Sequence, residues 1–216
     1  MSTLMEMIDG LIHEADVAAL PDWTGIPLGV PVFDYHHPDE LDAAWRRWVE
    51  VNGNFNCIFL SRMWHRSHTV PHTELDSHSI DEYSIDLRCA AGAHGWRTAG
   101  DEPGRVCQCV GDITTQVICA VCSWHHIGTE DECIEAWHDH AFPGWRDLPI
   151  LPAKLRGTMG GTTMTPKVEE WLQKNYPDEL RVPGAPIRTT RGKYGTRHVL
   201  GYSPYGGYDL SVPEEA

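Results

Sequence analysis

Apolar side chains along this chain recur at helical spacing in four stretches and at strand spacing in others, with polar, Gly- and Pro-rich segments between. Leu4, Met7, Ile8, Leu11, Ile12 and Ala15 form one such stripe and predict an amphipathic helix over residues 3–16, suited to cover a core or to dock on a partner. Residues 18–35, with three prolines and two glycines, predict irregular chain. A helix is expected at 38–51. Pro38 suits its first turn, Asp39 and Glu40 favour the dipole there, and Gly53 lies beyond its end. Its buried stripe is Leu41, Trp45, Trp48 and Val49. The apolar run at 55–64 reads as a strand, with Cys57 a small buried hydrophobe. Tyr83, Ile85, Leu87 and Cys89 alternate through 79–89 and predict a half-buried strand.

Further along, 106–110 and 115–122 both have strand character. A four-residue loop at 111–114 would pair Cys107 with Ile118, next to Cys119, whereas a Gly-Asp two-residue turn would pair Cys107 with Gln116 and leave the thiols apart. The first register is favoured because it gathers sulfur. A helix follows to about residue 140, announced by a capping box at Thr129 and Glu132 and closed before Pro143. Residues 150–164 read as a linker. A last helix opens at Thr165-Pro166 with Val168, Trp171 and Leu172 inward and Pro177 beyond its end.

The fold class this predicts is α+β. It comprises a small antiparallel sheet, a zinc-stapled hairpin and helix unit (about 106–142) and several short helices, rich in loops. Residues 1–153 are expected to form an acidic body. Residues 154–216 supply a helix and a basic, Tyr- and Gly-rich tail packed on it.

Chemistry concentrates between Cys107 and His140, which hold five of seven cysteines and four of thirteen histidines. Cys119-x-x-Cys122 has the spacing of a metal knuckle, and reduced, clustered thiols read as metal ligands. Upstream, Cys107 and Cys109 face one side of a strand but sit roughly 6.5 Å apart, so one or both are candidates. From the helix, His140 shares a stripe with Cys133 and Trp137 and is the expected imidazole; His138 is the second choice, with His125 and His126 behind it. The candidate set is therefore Cys107, Cys109, Cys119, Cys122 and His140, holding a structural Zn²⁺. Cys89 and His94 could add a ligand or a second site. A thiolate-rich set neutralises the ion and makes it a poor Lewis acid, which argues for a staple. The zinc-deaminase signature is only half met: His72-Thr73-Glu74 fits, but Ile118 stands where a proline is required.

Charge adds a second layer. The net charge is −14, spread as −16 over residues 1–153, +5 over 154–198 and −3 over the rest. Such an acidic body repels nucleic-acid phosphates and is read first as a solubility feature, with DNA mimicry as a sharper alternative. The basic run 181–198 holds Arg181, Arg188, Arg191, Lys193, Arg197 and His198 without an acid; it suits self-pairing or phosphate. No run of apolar residues reaches membrane-span length, and the N-terminus lacks a secretory pattern, so the expected location is cytoplasmic.

From Cys107 to Asp209 the chain resembles DUF6349, a family of uncharacterised proteins of actinobacteria and their phages. The resemblance rests on CxCxGD at 107–112, CxxC at 119–122, DHAFPGWRDLP at 139–149 and GTRH…GGYD at 195–209. It implies an actinobacterial or phage origin, hence host-cell cytoplasm if phage-encoded, and a metal site; it implies no activity. The functional expectation is a non-enzymatic zinc-binding accessory protein acting on a host or phage protein. The alternatives are a metal-dependent hydrolase or nuclease built on His65, His68, His72 and His78, and nucleic-acid binding through 181–198.

Overall fold

Pro38 opens helix α1 (Pro38–Asn52), whose first turn carries Asp39 and Glu40 against the helix dipole. The computed structural model describes residues 34–52, 63–67, 77–88, 111–156 and 163–214. The helix expected at 3–16, the strand at 106–110 and residues 55–62 of the strand expected at 55–64 lie outside them. Within them the fold is α+β: a four-stranded sheet ordered β1-β2-β3-β4, a three-stranded sheet, and short helices. The chain forms two units, Met1–His65 with Ser84–Ile113, and Arg66–Tyr83 with Thr114–Ala216.

In the first unit α1 buries Leu41 and Trp48, and Met63 packs with Trp48. Trp45 stacks on Trp48 with ring centroids 5.8 Å apart. The expected stripe is present, although Trp45 and Val49 are only partly covered. Ile85 is fully buried. Asp86 accepts the Arg88 guanidinium at 2.8 and 2.7 Å, and those bonds hold its carboxyl below the ordinary range against the burial that would raise it.

The strands of the first sheet are β1 (His65–Arg66), β2 (Asp81–Asp86), β3 (Ile113–Cys119) and β4 (Trp124–Gly128). The first strand of the hairpin expected between 106–110 and 115–122 lies outside the described residues, and within them a hairpin forms after the knuckle. β3 pairs antiparallel with β4, from Thr115 opposite Gly128 to Cys119 opposite Trp124. The knuckle is thus the hairpin turn itself. Ser123, at φ 51°, carries the left-handed bend, and its N–H returns to the Ala120 carbonyl at 3.4 Å. His125 and His126 sit within β4.

Helix α2 (Glu130–Ala141) follows at once. Thr129 and Glu132 form the reciprocal capping box, and Glu130, Asp131 and Glu132 occupy the first turn. Its inner face buries Cys133, Ile134, Trp137 and His138. These join a core that continues through Trp145, Leu148, Leu151, Val168, Leu172 and Tyr176 to Ile187, Tyr208 and Leu210. Helix α3 (Ala153–Arg156) interrupts the segment expected to be a linker. Helix α4 (Pro166–Asn175) starts at the Thr165 cap, buries Val168 and Leu172, and ends at Tyr176.

The C-terminal tail is a sheet. Strands β5 (Ile187–Arg191), β6 (His198–Leu200) and β7 (Tyr208–Pro213) are ordered β5-β7-β6, with β7 parallel to β5 and antiparallel to β6. Tyr208 is buried at the start of the central strand, whereas Tyr202 is half exposed. Gly207 permits the approach: a Cβ there would lie 2.1 Å from the Gly184 carbonyl oxygen. Asp209, 1% exposed, accepts Thr189 Oγ1 at 2.6 Å and Arg156 Nη2 at 2.8 Å. Burial nonetheless raises its carboxyl above the ordinary range. No helix among the described residues is long and apolar enough to cross a membrane.

Candidate metal centre

Three neighbouring pieces of the second unit converge at the hairpin turn: residues 77–79, which precede β2, the knuckle, and the end of α2. His78, Cys119, Cys122 and His140 each direct one donor atom inward, and all four atoms lie within 4.8 Å of one another. His78 Nδ1 is 3.8 Å from Cys119 Sγ and 3.4 Å from Cys122 Sγ. Around a tetrahedral zinc, bonds of ~2.3 Å to sulfur and ~2.05 Å to nitrogen place S and N roughly 3.6 Å apart. The spacing fits such an ion.

Each ligand is held for a local reason. Cys119 ends β3 and is fully buried, while Cys122 is on the exposed side of the turn. Ser79 ties the three pieces together: its N–H donates to Cys119 Sγ at 3.4 Å and its hydroxyl accepts the Ala120 N–H at 2.8 Å. Its carbonyl accepts Trp137 Nε1 at 2.9 Å. The His140 ring lies parallel to Trp124 at 4.5 Å and edge-on to His78 at 4.8 Å. Such contacts fix ring orientation as outer partners of a metal ligand do.

The electrostatics suit a cation. His140 Nε2 is buried without a hydrogen-bond partner among the described residues. Loss of water and the nearby His78 lower its pKa, which keeps the ring in the neutral, metal-binding form. The Cys122 thiol is pushed up by partial desolvation and by the adjacent Cys119. A divalent ion would reverse that, giving two thiolates, two neutral imidazoles and a site of zero net charge. With four protein donors in place, a four-coordinate ion keeps no open position.

Of the five expected ligands, Cys119, Cys122 and His140 stand in this group, and Cys107 and Cys109 lie outside the described residues. Cys89, His94, His68 and His72 lie outside them too. His78, one of the expected histidine cluster, stands beside the thiols. His65 contacts Trp45, with ring centroids 5.5 Å apart. His138 turns into the core: its Nδ1 is 2.7 Å from the Ile134 carbonyl, and burial lowers its pKa to about 4. Cys133, on the His140 stripe, donates to the Thr115 carbonyl at 3.2 Å, and burial raises it to about 12. The one signal for His78 in the sequence is its place just before a strand, since residues at a strand start can meet the end of a neighbouring strand. Which strand that would be is a long-range fact.

Residues 29–216 match the sequence profile described as a family of unknown function (DUF6349). No curated protein and no solved structure was found to match.

Proposed function

The chain belongs to the DUF6349 family, and we propose that it is a non-enzymatic, zinc-stapled accessory protein that acts by binding another protein. The observation that carries this reading is the closed donor set of His78, Cys119, Cys122 and His140. Two thiolates and two imidazoles favour zinc among divalent ions, and they neutralise it, so it has neither a free position for substrate nor much Lewis acidity. The zinc joins residues 77–79, the hairpin and α2, and it supplies rigidity at the turn end of the hairpin, where Cys122 is exposed. Partner binding is supported by the absence of a catalytic vacancy at this centre and by the acidic surface implied by a net charge of −14. We place that partner among the host or phage proteins of an actinobacterium.

The test is metal content of protein purified without added metal, followed by a partner search. About one zinc per chain, lost in Cys122→Ser and His140→Ala, is expected. A defined partner should then be retained by the wild-type protein and not by the metal-free variants. Protein that holds no zinc, or that takes zinc equally well without Cys122 and His140, overturns the reading.

A further inference from the structure

A second feature of the larger unit is independent of the metal centre. A cavity of 480 Å³ is walled by Arg146, Arg188, Arg191, Arg197 and His198, with Glu135 as its one carboxylate. Four guanidiniums against one acid give it a formal charge of +3 when His198 is neutral, in a chain whose net charge is −14. Trp145 and Leu210 add an apolar surface.

The four arginines are not equivalent. Arg146 is paired with Glu135 and Asp139, and Arg197 with Asp131 and Glu135. Arg188 and Arg191 have no carboxylate within ion-pair distance among the described residues. Arg188 Nη1 donates to the carbonyls of Arg146 and Leu148, the second at 2.7 Å, and Arg191 Nη1 donates to the Ser211 carbonyl. Carbonyls orient these groups without cancelling their charge. Moreover, Arg188 Nε is buried with no hydrogen-bond partner among the described residues. The Nε and Nη2 edge of a guanidinium is the fork that grips an oxyanion with two parallel bonds.

We propose that this cavity binds a small phosphomonoester, with Arg188 and Arg191 as the clamp on its phosphate. A dianion matches the surplus charge better than a carboxylate, and the apolar wall receives the body of the molecule. A nucleic acid fits poorly. Polymer affinity comes from many phosphates neutralised along a basic track, whereas only two guanidiniums without a carboxylate partner among the described residues line this cavity of an acidic chain.

The experiment is calorimetric titration of the full-length, metal-loaded protein at fixed ionic strength. The probes are inorganic phosphate, glycerol 2-phosphate, acetate and a short DNA duplex. One saturable glycerol 2-phosphate site per chain is expected, with weaker inorganic phosphate and no acetate binding. Arg191→Gln should weaken that site roughly tenfold or more while leaving metal content and melting temperature unchanged. If Arg191→Gln folds poorly, Arg188→Lys, which keeps the charge and loses the fork, carries the same test. The proposal is overturned by any of three results. These are no saturable phosphomonoester binding at millimolar concentration, acetate or DNA binding at least as tightly as glycerol 2-phosphate, and unchanged affinity in a folded clamp variant.

Discussion

The proposed zinc would hold three chain segments together, and the lengths of the loops it would close set how far its removal should destabilise the fold. A link from His78 to Cys119 spans 41 residues, and one from Cys122 to His140 spans about 18. Treated as cross-links that restrict the unfolded chain, these loops are worth about 4 and about 3 kcal/mol respectively. They share no residues, so together they approach about 7 kcal/mol, which is comparable to the entire stability of an ordinary domain. At ~2–4 °C per kcal/mol for a chain of this size, the metal-free protein should melt about 15–25 °C lower. The assay is thermal unfolding followed by circular dichroism, before and after chelation, with metal removal verified by elemental analysis. Adding back about one equivalent of zinc should restore the transition. His140→Ala, which is expected to give up the ion, should melt about as low as the chelated wild-type protein and show no further drop on chelation. Verified metal-free protein that melts within a few degrees of the loaded form would refute the cross-link reasoning.

Other consequences follow from buried polar groups and close packing. His138, with a pKa of about 4 against an ordinary 6.5, is neutral in the fold, whereas the unfolded chain takes up a proton below pH 6.5. Its contribution to stability therefore shrinks as pH falls from about 6.5 to about 4, by about 3 kcal/mol in total. Subtracting the His138→Met profile isolates this from acid release of metal, and equal slopes would disprove it. Asp209→Ala should cost about 3 kcal/mol in urea unfolding by stranding Thr189 and Arg156, and Asp209→Asn much less, because the buried carboxyl already tolerates neutrality. Gly207→Ala should destabilise by about 2 kcal/mol or more, since its Cβ meets backbone oxygen rather than a movable side chain; a neutral result would contradict the packing. In native alkylation followed by mass spectrometry, Cys133 should stay unmodified, and exposed Cys122 should react only after chelation.

Local rules carried much of the fold. The capping box at Thr129 and Glu132, the Thr165-Pro166 start and the α1 stripe depend on neighbours within a turn, so the sequence alone located those helices. The knuckle was legible for the same reason, because two cysteines three apart can meet one ion wherever the chain turns. His140 was legible through helical spacing, as a residue on the face that carries Trp137.

Long-range contacts decided the rest. One of the two sheet neighbours of β3 is the segment after the knuckle, so the turn that holds the cysteines is also a hairpin turn. The Gly- and Tyr-rich tail becomes the centre of a sheet because β7 finds β5 in parallel register across some twenty residues, a pairing with no local signature. His138 and His140 differ by two positions, yet one is packed among aromatic rings and the other faces sulfur, since two steps along a helix turn a side chain through more than half a circle. The amino-acid sequence supplied the thiols and imidazoles, the knuckle spacing and the helix that bears His140. Which four meet depended on His78 arriving from 41 residues away, where only the packed sheet could bring it.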